Sequence, residues 1–445
     1  MNRESFHNKY SKYRLKISYN TSKNVYLTCL KTSFMSKNNR IKRQTNKKLV
    51  VVLHSNFAYG YGDILYLNKI ANILYKKKKH NKMNINIIIT FDEQYLNKFN
   101  SVSSKLIKSL YRPLIDVNLK LACSSRSAKN VVIQVATPDP SVQFPNCKYI
   151  YLDEYNGHRS IEYDDEFEKK GINIVSGIGN NHLKDCSGII FETFEREYNS
   201  LKKKDKNMIV DKLENFFFAY NSGEDTDELE YFINIVAHYY GYCANSDLKF
   251  LIVWKLDDNK IEKIFLSMKS KIDCGVIIKK VNGDETEDIV TMHNPQFYVE
   301  GNKRIITIYL IDFLHPVQFT QTLKKSNDLV MVTGDQSFSE AIKFNKLIIY
   351  QCQEWKIGLF EQYLIFVRYI LGKKSLLYNF ILQQYNKFII SSLSDIYDTP
   401  KINITYLLDN MKTLNKEILT INNFLHKNYN IEHVLLSQNN SLIEK

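Results

Sequence analysis

The sequence predicts an α/β chain, with two parallel-sheet domains in tandem and a helical tail. Three observations predict it. Short apolar runs of strand length alternate with stretches whose apolar residues recur at helical spacing, as in a parallel sheet covered on both faces. That series occurs twice, on either side of a charged stretch without strand signal, residues 199–214. From Trp355 onward the pattern turns mostly helical. The length of 445 residues agrees, because single cores stop growing at roughly 250–300 residues and longer chains divide.

The elements follow in order. "LVVVLHS" (49–55) is a continuous apolar run of strand length, and residues 60–79 place Ile64, Leu65, Leu67, Ile70, Ala71, Ile73 and Leu74 at helical spacing. "INIIITF" (85–91), "NVVIQVA" (130–136), "KYIYLDE" (148–154), "INIVSG" (172–177) and "SGIIFE" (187–192) complete the first series of strands. The second series opens with the strand "NFFFAYNS" (215–222) and a helix over 223–241, whose acidic first turn suits the helix dipole. Strands are expected at 248–255, 275–281 and 303–311, then a helix at 317–326, a strand at 328–334, a helix at 337–345 and a strand at 346–351. The expected organisation is a basic arm over 1–48, domains over 49–205 and 206–355, and a tail over 356–445 that packs on them.

Charge is unevenly placed. Residues 1–48 hold 13 Lys or Arg and one acid, Glu4, while the remaining 397 residues hold 48 basic and 46 acidic side chains. The body therefore lacks the basic footprint of a specific nucleic-acid binder. The arm reads as a solvated leader, a targeting segment, or a contact for RNA or an acidic membrane. The expected location is the cytoplasm, or a host cell or organelle reached through that arm. No window of about 18 apolar residues marks a transmembrane segment. Seven scattered cysteines without a CxxC pair argue against a disulfide framework or a zinc site.

In open parallel sheets, ligands bind beyond the carboxyl ends of strands, so the strand-to-helix turns carry the chemistry. The first is "HSNFAYGYGDI" (54–64), where Gly60 and Gly62 allow close backbone approach and Asp63 begins the helix. It matches neither GxGxxG nor a phosphate-binding loop ending in GK[ST]. The second is "VTGDQSFSEA" (332–341). Ser337 with Glu340 three residues later suggests a capping box. The same helix start can hold a diphosphate on amide groups and the positive helix end without a metal. Ser337 adds a hydroxyl donor. Asp335 would disfavour a phosphate, so it suits a sugar or ribose hydroxyl, or a cationic acceptor.

The segment "LIDFLHPVQFTQTLKKSNDLVMVTGDQSFSEAIKFNKLIIYQ" resembles the donor-binding half of GT-B glycosyltransferases. More narrowly it is similar to bacterial protein-arginine rhamnosyltransferases that modify a translation elongation factor. Pro316 and Gln318 stand at the "PxxQ"-like turn, Gly334, Asp335 and Ser337 at an "RGEDS" motif, and Tyr350 and Gln351 at a "YPQ" strand end. Tyr61-Gly62-Asp63-Ile64 matches part of a "DNYGDIG" loop, and "FFFAYNS" the first strand of the second domain. Departures are Thr333 for the motif's Arg, Asp335 for its Glu, Gln336 for its Asp, Tyr59 for the loop's first Asp and Leu65 for its last Gly.

The resemblance implies the GT-B fold, two Rossmann-like parallel-sheet domains facing a cleft, and a nucleotide-sugar donor, dTDP-, UDP- or GDP-linked. It implies that Asp63 acts as base in an inverting displacement without metal or other cofactor. Asp335 would orient the acceptor or a sugar hydroxyl. Tyr220, Gln318, Gly334, Gln336, Ser337, Tyr61 and Gly62 would bind the nucleotide sugar. The acceptor would be a protein side chain or a glycan. The lost Arg and the shortened acid leave the sugar and the arginine acceptor open. Two alternatives remain, a nucleotide-sugar epimerase or hydrolase of this fold, and a catalytically degenerate scaffold that binds a partner. Gly177, Gly179, Asn180, Asn181 and His182 could line the cleft, and His315 could contact the nucleotide or fill a strand end. "YDD" (163–165) reads as solvated surface. Cys352 and Cys186 show no activating partner for a thiol nucleophile.

Overall fold

The computed structural model describes residues 49–55, 61–81, 85–91, 130–136, 138–139, 147–153, 169–174, 176–178, 187–222, 226–243, 248–255, 275–292, 305–353, 356–390 and 404–436. The basic arm, Tyr59, Gly60, the "YDD" stretch, Gly179 through His182 and Cys186 lie outside the described residues. The body comprises a parallel sheet, a second sheet that is parallel except at one edge, and a helical tail.

The first sheet contains β1 (Leu49–Ser55), β2 (Ile85–Phe91), β3 (Asn130–Ala136), β4 (Cys147–Asp153) and β5 (Ile172–Ile174), ordered β2-β1-β3-β4-β5. Every pairing is parallel, with Val51 opposite Ile87 and Val52 opposite Val132. Continuous apolar runs are needed because both faces are covered. Val51, Leu53, Val131, Ile133, Ile150 and Leu152 face the main core, while Val52, Val132, Tyr149 and Tyr151 form a smaller cluster. Helix α1 (Tyr61–Asn81) buries Tyr66, Leu67, Ile70, Ala71, Ile73 and Leu74 on the main core. The Tyr66 hydroxyl donates to the Asp153 carbonyl at 2.9 Å, tying α1 to the end of β4.

The connection between the sheets is shaped by short turns. The 3-10 turns Glu195–Ser200 and Lys203–Asp205 lead into α2 (Met208–Lys212), capped by the Asn207 side chain. The second sheet contains β6 (Phe216–Tyr220), β7 (Leu248–Val253), β8 (Gly275–Asn282), β9 (Glu285–Met292), β10 (Ile305–Ile311), β11 (Leu329–Thr333) and β12 (Leu347–Gln351). Its order is β12-β11-β6-β7-β10-β8-β9. Helices α3 (Asp227–Cys243), α4 (Pro316–Lys325) and α5 (Asp335–Lys343) connect its strands.

Several expectations are corrected. Residues 187–192 form no strand: Gly188 bridges Gly177, and Ile189 bridges Asn430. Their backbone bonds are divided between two partners, so no ladder builds. Gly188 has φ +104°, and an added Cβ would lie 2.0 Å from the Tyr429 backbone. The run at 172–177 pairs as β5 over only three residues. Strand β9 was absent from the expected pattern because "ETEDIVTM" is rich in acids. It is the antiparallel edge, where charge discourages pairing with another chain. The overlooked signal was Gly283-Asp284, a two-residue loop with glycine first that favours a tight hairpin; Gly283 has φ +65°.

The tail comprises α6 (Ile357–Leu371), α7 (Leu376–Gln384), α8 (Ile404–Asp409) and α9 (Met411–Asn428). It completes the other sheet edge. Gln384 accepts from the Tyr350 amide at 3.2 Å and donates to the Ile348 carbonyl at 3.1 Å, so its side chain pairs with β12 as a neighbouring strand would. One continuous core runs from Val51 in the first sheet through the second sheet to Leu435 in the tail. Among the described residues no helix is long and apolar enough to cross a membrane.

Candidate functional site

Topology selects two places. In the first sheet β1 is flanked by β2 on one side and β3 on the other, so the chain reverses its direction of winding there. In the second, β6 lies between β7 and β11, and β12 continues outward from β11. Ligand crevices of open α/β sheets form outside the strand ends at such switch points. The first lies beyond β1, where α1 opens with Tyr61, Gly62 and Asp63. The second lies beyond β6 and β11, at Tyr220 and Gly334. These are the two turns that the sequence singled out.

At the first turn Gly62 is half-buried and Asp63 is buried at 4% exposure in the opening turn of α1. An acid in that turn suits the positive end of the helix. Ala136, at the end of the adjacent β3, has φ +69°.

At the second turn the helix begins earlier than expected. Gly334 is its N-cap, with φ 80° and ψ 157°, and Asp335 is the first helical residue. That backbone region is essentially restricted to glycine. No described atom lies within 4 Å of where a Cβ would stand, so backbone conformation rather than crowding demands glycine. The capping box of Ser337 and Glu340 does not form. Ser337 is inside the helix and its hydroxyl donates to the Thr333 carbonyl and, at 3.0 Å, to the Gly334 carbonyl. The first bond of the helix ladder runs from the Phe338 amide to the Gly334 carbonyl. The ladder therefore does not use the amides of Asp335, Gln336 and Ser337.

Asp335 is buried and ion-paired with Lys356, the residue that precedes α6. Gln336 is buried in the same turn. Cys352 follows β12, and burial together with the charges of Glu228, Asp335 and Glu361 pushes its thiol well up. That disfavours the reactive thiolate.

Tyr220 is half-buried at the end of β6, its ring edge-to-face with Phe319 at 5.3 Å. Burial raises its phenol, so the group remains a neutral hydroxyl. The turn after it is braced from β12. The Ser222 amide donates to the Gln351 side chain at 2.9 Å, and Gln353 donates to the Ser222 hydroxyl at 3.2 Å. Gln318 is committed to protein atoms. Its amide accepts from Asn207 N–H at 2.9 Å and donates to the Asn207 carbonyl at 2.8 Å and to Asp211 at 2.9 Å. Both of its amide hydrogens are used there, while its carbonyl oxygen accepts one bond of the two it can take. His315 caps α4, its Nδ1 accepting from the Val317 amide at 3.3 Å. Burial pushes its imidazole down to about 4, partly offset by Asp205.

The two turns are linked through their helices. Lys69 of α1 is fully buried with its Nζ 2.8 Å from Glu340 of α5. Glu340 also accepts from the Thr320 hydroxyl at 3.0 Å. The Lys69–Glu340 contact is close but off the hydrogen-bonding direction, so Coulomb attraction holds it. The Lys69 ammonium lies 6.0 Å from the ring centroid of Phe194, which clusters with Val317 and Leu65. Among the described residues no cluster of His, Cys, Asp and Glu could hold a metal ion.

Sequence reasoning missed Lys356 and Lys69. Lys356 stands 21 residues from Asp335, across α5 and β12, and no local pattern joins them. Lys69 looked like an ordinary helix lysine. Only its place in an apolar stripe, between Leu67 and Ile70, hinted at burial.

No family model matches the chain, and no curated protein matches it in sequence. The chain is similar to several solved structures. A Listeria monocytogenes protein described as a UDP-N-acetylglucosamine 2-epimerase is 13% identical over 89% of this chain and 97% of its own, with a TM-score of 0.47. A glycosyltransferase from Rickettsia africae is 9% identical over 89% and 98%, with a TM-score of 0.41. An alpha-glucosyltransferase, solved with UDP-glucose and DNA containing an abasic site, is 8% identical over 88% and 99%, with a TM-score of 0.40.

Proposed function

We propose that this protein is a GT-B glycosyltransferase that moves a sugar from a nucleoside-diphosphate donor to an acceptor with inversion and without a metal. One observation carries the proposal. The two turns nominated from sequence coincide with the switch points of the two sheets, and their helices are joined by the Lys69–Glu340 pair. The nucleotide lies against the second sheet, with Tyr220 beside its base or ribose. The diphosphate meets the amides at the start of α5, where the dipole and the backbone of Gly334 favour an anion. Asp63 takes the acceptor's proton while the acceptor atom attacks the anomeric carbon. The bond from that carbon to the diphosphate oxygen breaks, and its electron pair leaves with the nucleoside diphosphate. Attack from the opposite face inverts the configuration. The acceptor is a protein side chain or a glycan.

The test is a thermal-shift panel of UDP, GDP and dTDP, followed by sugar transfer with the matching donors. At about 100 times the dissociation constant, one nucleotide should stabilise the protein by about 2.7 kcal/mol. Asp63→Asn should then retain nucleotide binding while turnover falls by about 100-fold or more, as expected for loss of a general base. Stabilisation by no nucleotide would refute the reading. Release or epimerisation of the sugar without an acceptor would move the chain to the epimerase or hydrolase class.

A further inference from the structure

We propose that Lys356 is the cation that meets the donor's diphosphate. This inference rests on the nucleotide-sugar reading of the same site. The charges around the second turn make such a cation necessary. Asp335 places a carboxylate on the first residue of α5, at the end where the diphosphate would sit. Glu228 and Glu361 stand close enough to act on Cys352, which follows the neighbouring strand. A helix N-terminus supplies only about half a positive charge. Left alone, it would be outweighed by the full charge of the Asp335 carboxylate, and a diphosphate would be repelled.

Lys356 changes that balance. Among the groups that act on Cys352, it alone opposes the three acids. Its ammonium is held against the Asp335 carboxylate, so it stands at the end of α5. Its side chain keeps 18% of its surface exposed whereas that of Asp335 has none, so the lysine is the member of the pair that solvent or a ligand can reach. The short segment between β12 and α6 therefore brings a charge to the second switch point from outside both elements that form it. Asp335 acquires a positioning role, since it fixes the ammonium before the donor arrives. The sequence position before Gly334 carries Thr333, which offers no charge. The geometry supplies the charge from Lys356 instead.

The experiment is calorimetric titration of the full-length chain with UDP, GDP and dTDP, with uridine, guanosine and thymidine as probes lacking the diphosphate. The proteins are wild type, Lys356→Met, Lys356→Arg and the double variant Lys356→Met/Asp335→Asn. The double variant leaves no orphaned carboxylate, so it reports even if Lys356→Met fails to fold. For the nucleotide that wild type binds, loss of a charge-assisted contact should weaken affinity by about 10- to 100-fold in Lys356→Met, and the double variant, relieved of the Asp335 charge, should fall by less but stay weaker than wild type. Lys356→Arg should restore most of it, and the matching nucleoside should bind all variants alike. Wild-type affinity for the nucleoside diphosphate in either Met variant would overturn the inference while leaving the nucleotide site standing. Equal weakening toward nucleoside and nucleoside diphosphate would also overturn it, because the role would then be structural. Failure of wild type to bind any of the three nucleoside diphosphates would overturn the site reading and this inference with it.

Discussion

Replacing Lys69 by Met should destabilise the protein through one buried charge. Lys69 is fully buried and Glu340 keeps 6% of its side chain exposed, with 2.8 Å between the charged atoms. Met matches the length of the lysine stem and removes only the ammonium. Glu340 then keeps the Thr320 hydroxyl as partner but loses its counter-ion. Breaking a buried pair on one side costs about 3–5 kcal/mol. Unfolding entropy of about 2.1 cal/mol/K per residue, over a body of roughly 400 residues, converts each kcal/mol to about 1.2 °C. The melting temperature should therefore fall by about 4–6 °C in differential scanning calorimetry. Lys69→Met/Glu340→Leu removes both charges and should recover most of the loss, since apolar replacement of a buried pair is often neutral or stabilising. Recovery in the double variant isolates the coupling from mere loss of packing. A single variant that melts within about 1 °C of wild type would refute the reasoning. So would a double variant whose loss equals the sum of both singles. Nucleotide affinity should also weaken in Lys69→Met, because α5 carries both Glu340 and the second turn.

Other predictions concern local structure. Gly188→Ala should cost stability by about 1–3 kcal/mol or more, from positive φ and collision with the Tyr429 backbone. Hydrogen exchange at the Ile189 and Ile431 amides, which bond across that contact, should speed up, and unchanged exchange would contradict the close approach. Gln384→Leu leaves the Tyr350 amide and Ile348 carbonyl without this partner, at about 1–3 kcal/mol, measurable by urea unfolding. His315 has a lowered folded pKa of about 4, against an ordinary 6.5. The unfolded chain therefore binds the extra proton first, and stability should fall as pH drops from about 6.5 toward 4. His315→Asn keeps a helix cap and should flatten that part of the Tm–pH curve, whereas a curve parallel to wild type would exclude His315 as its source.

The sequence by itself determined the two sheets and the tail. Residues 49–55, 85–91 and 130–136 were legible to the residue because a strand buried on both faces reads as one continuous apolar run that polar neighbours end. The two turns were legible because strand-to-helix junctions concentrate glycine and acids. What tertiary structure decided was partnership. The same apolar signal at 187–192 became a pair of bridges, because its backbone was claimed by Gly177 and by the tail. The acidic strand β9 was hidden because pairing with β8, rather than its composition, makes it a strand. Gln318, expected to meet the nucleotide, is held in place by Asn207 and Asp211, partners more than 100 residues away in sequence. Lys356 and Lys69 acquired meaning only when folding brought Asp335 and Glu340 to them. Periodicity records which faces leave water, a property each segment carries alone. An ion pair depends on where two distant segments end, and no single segment carries that information.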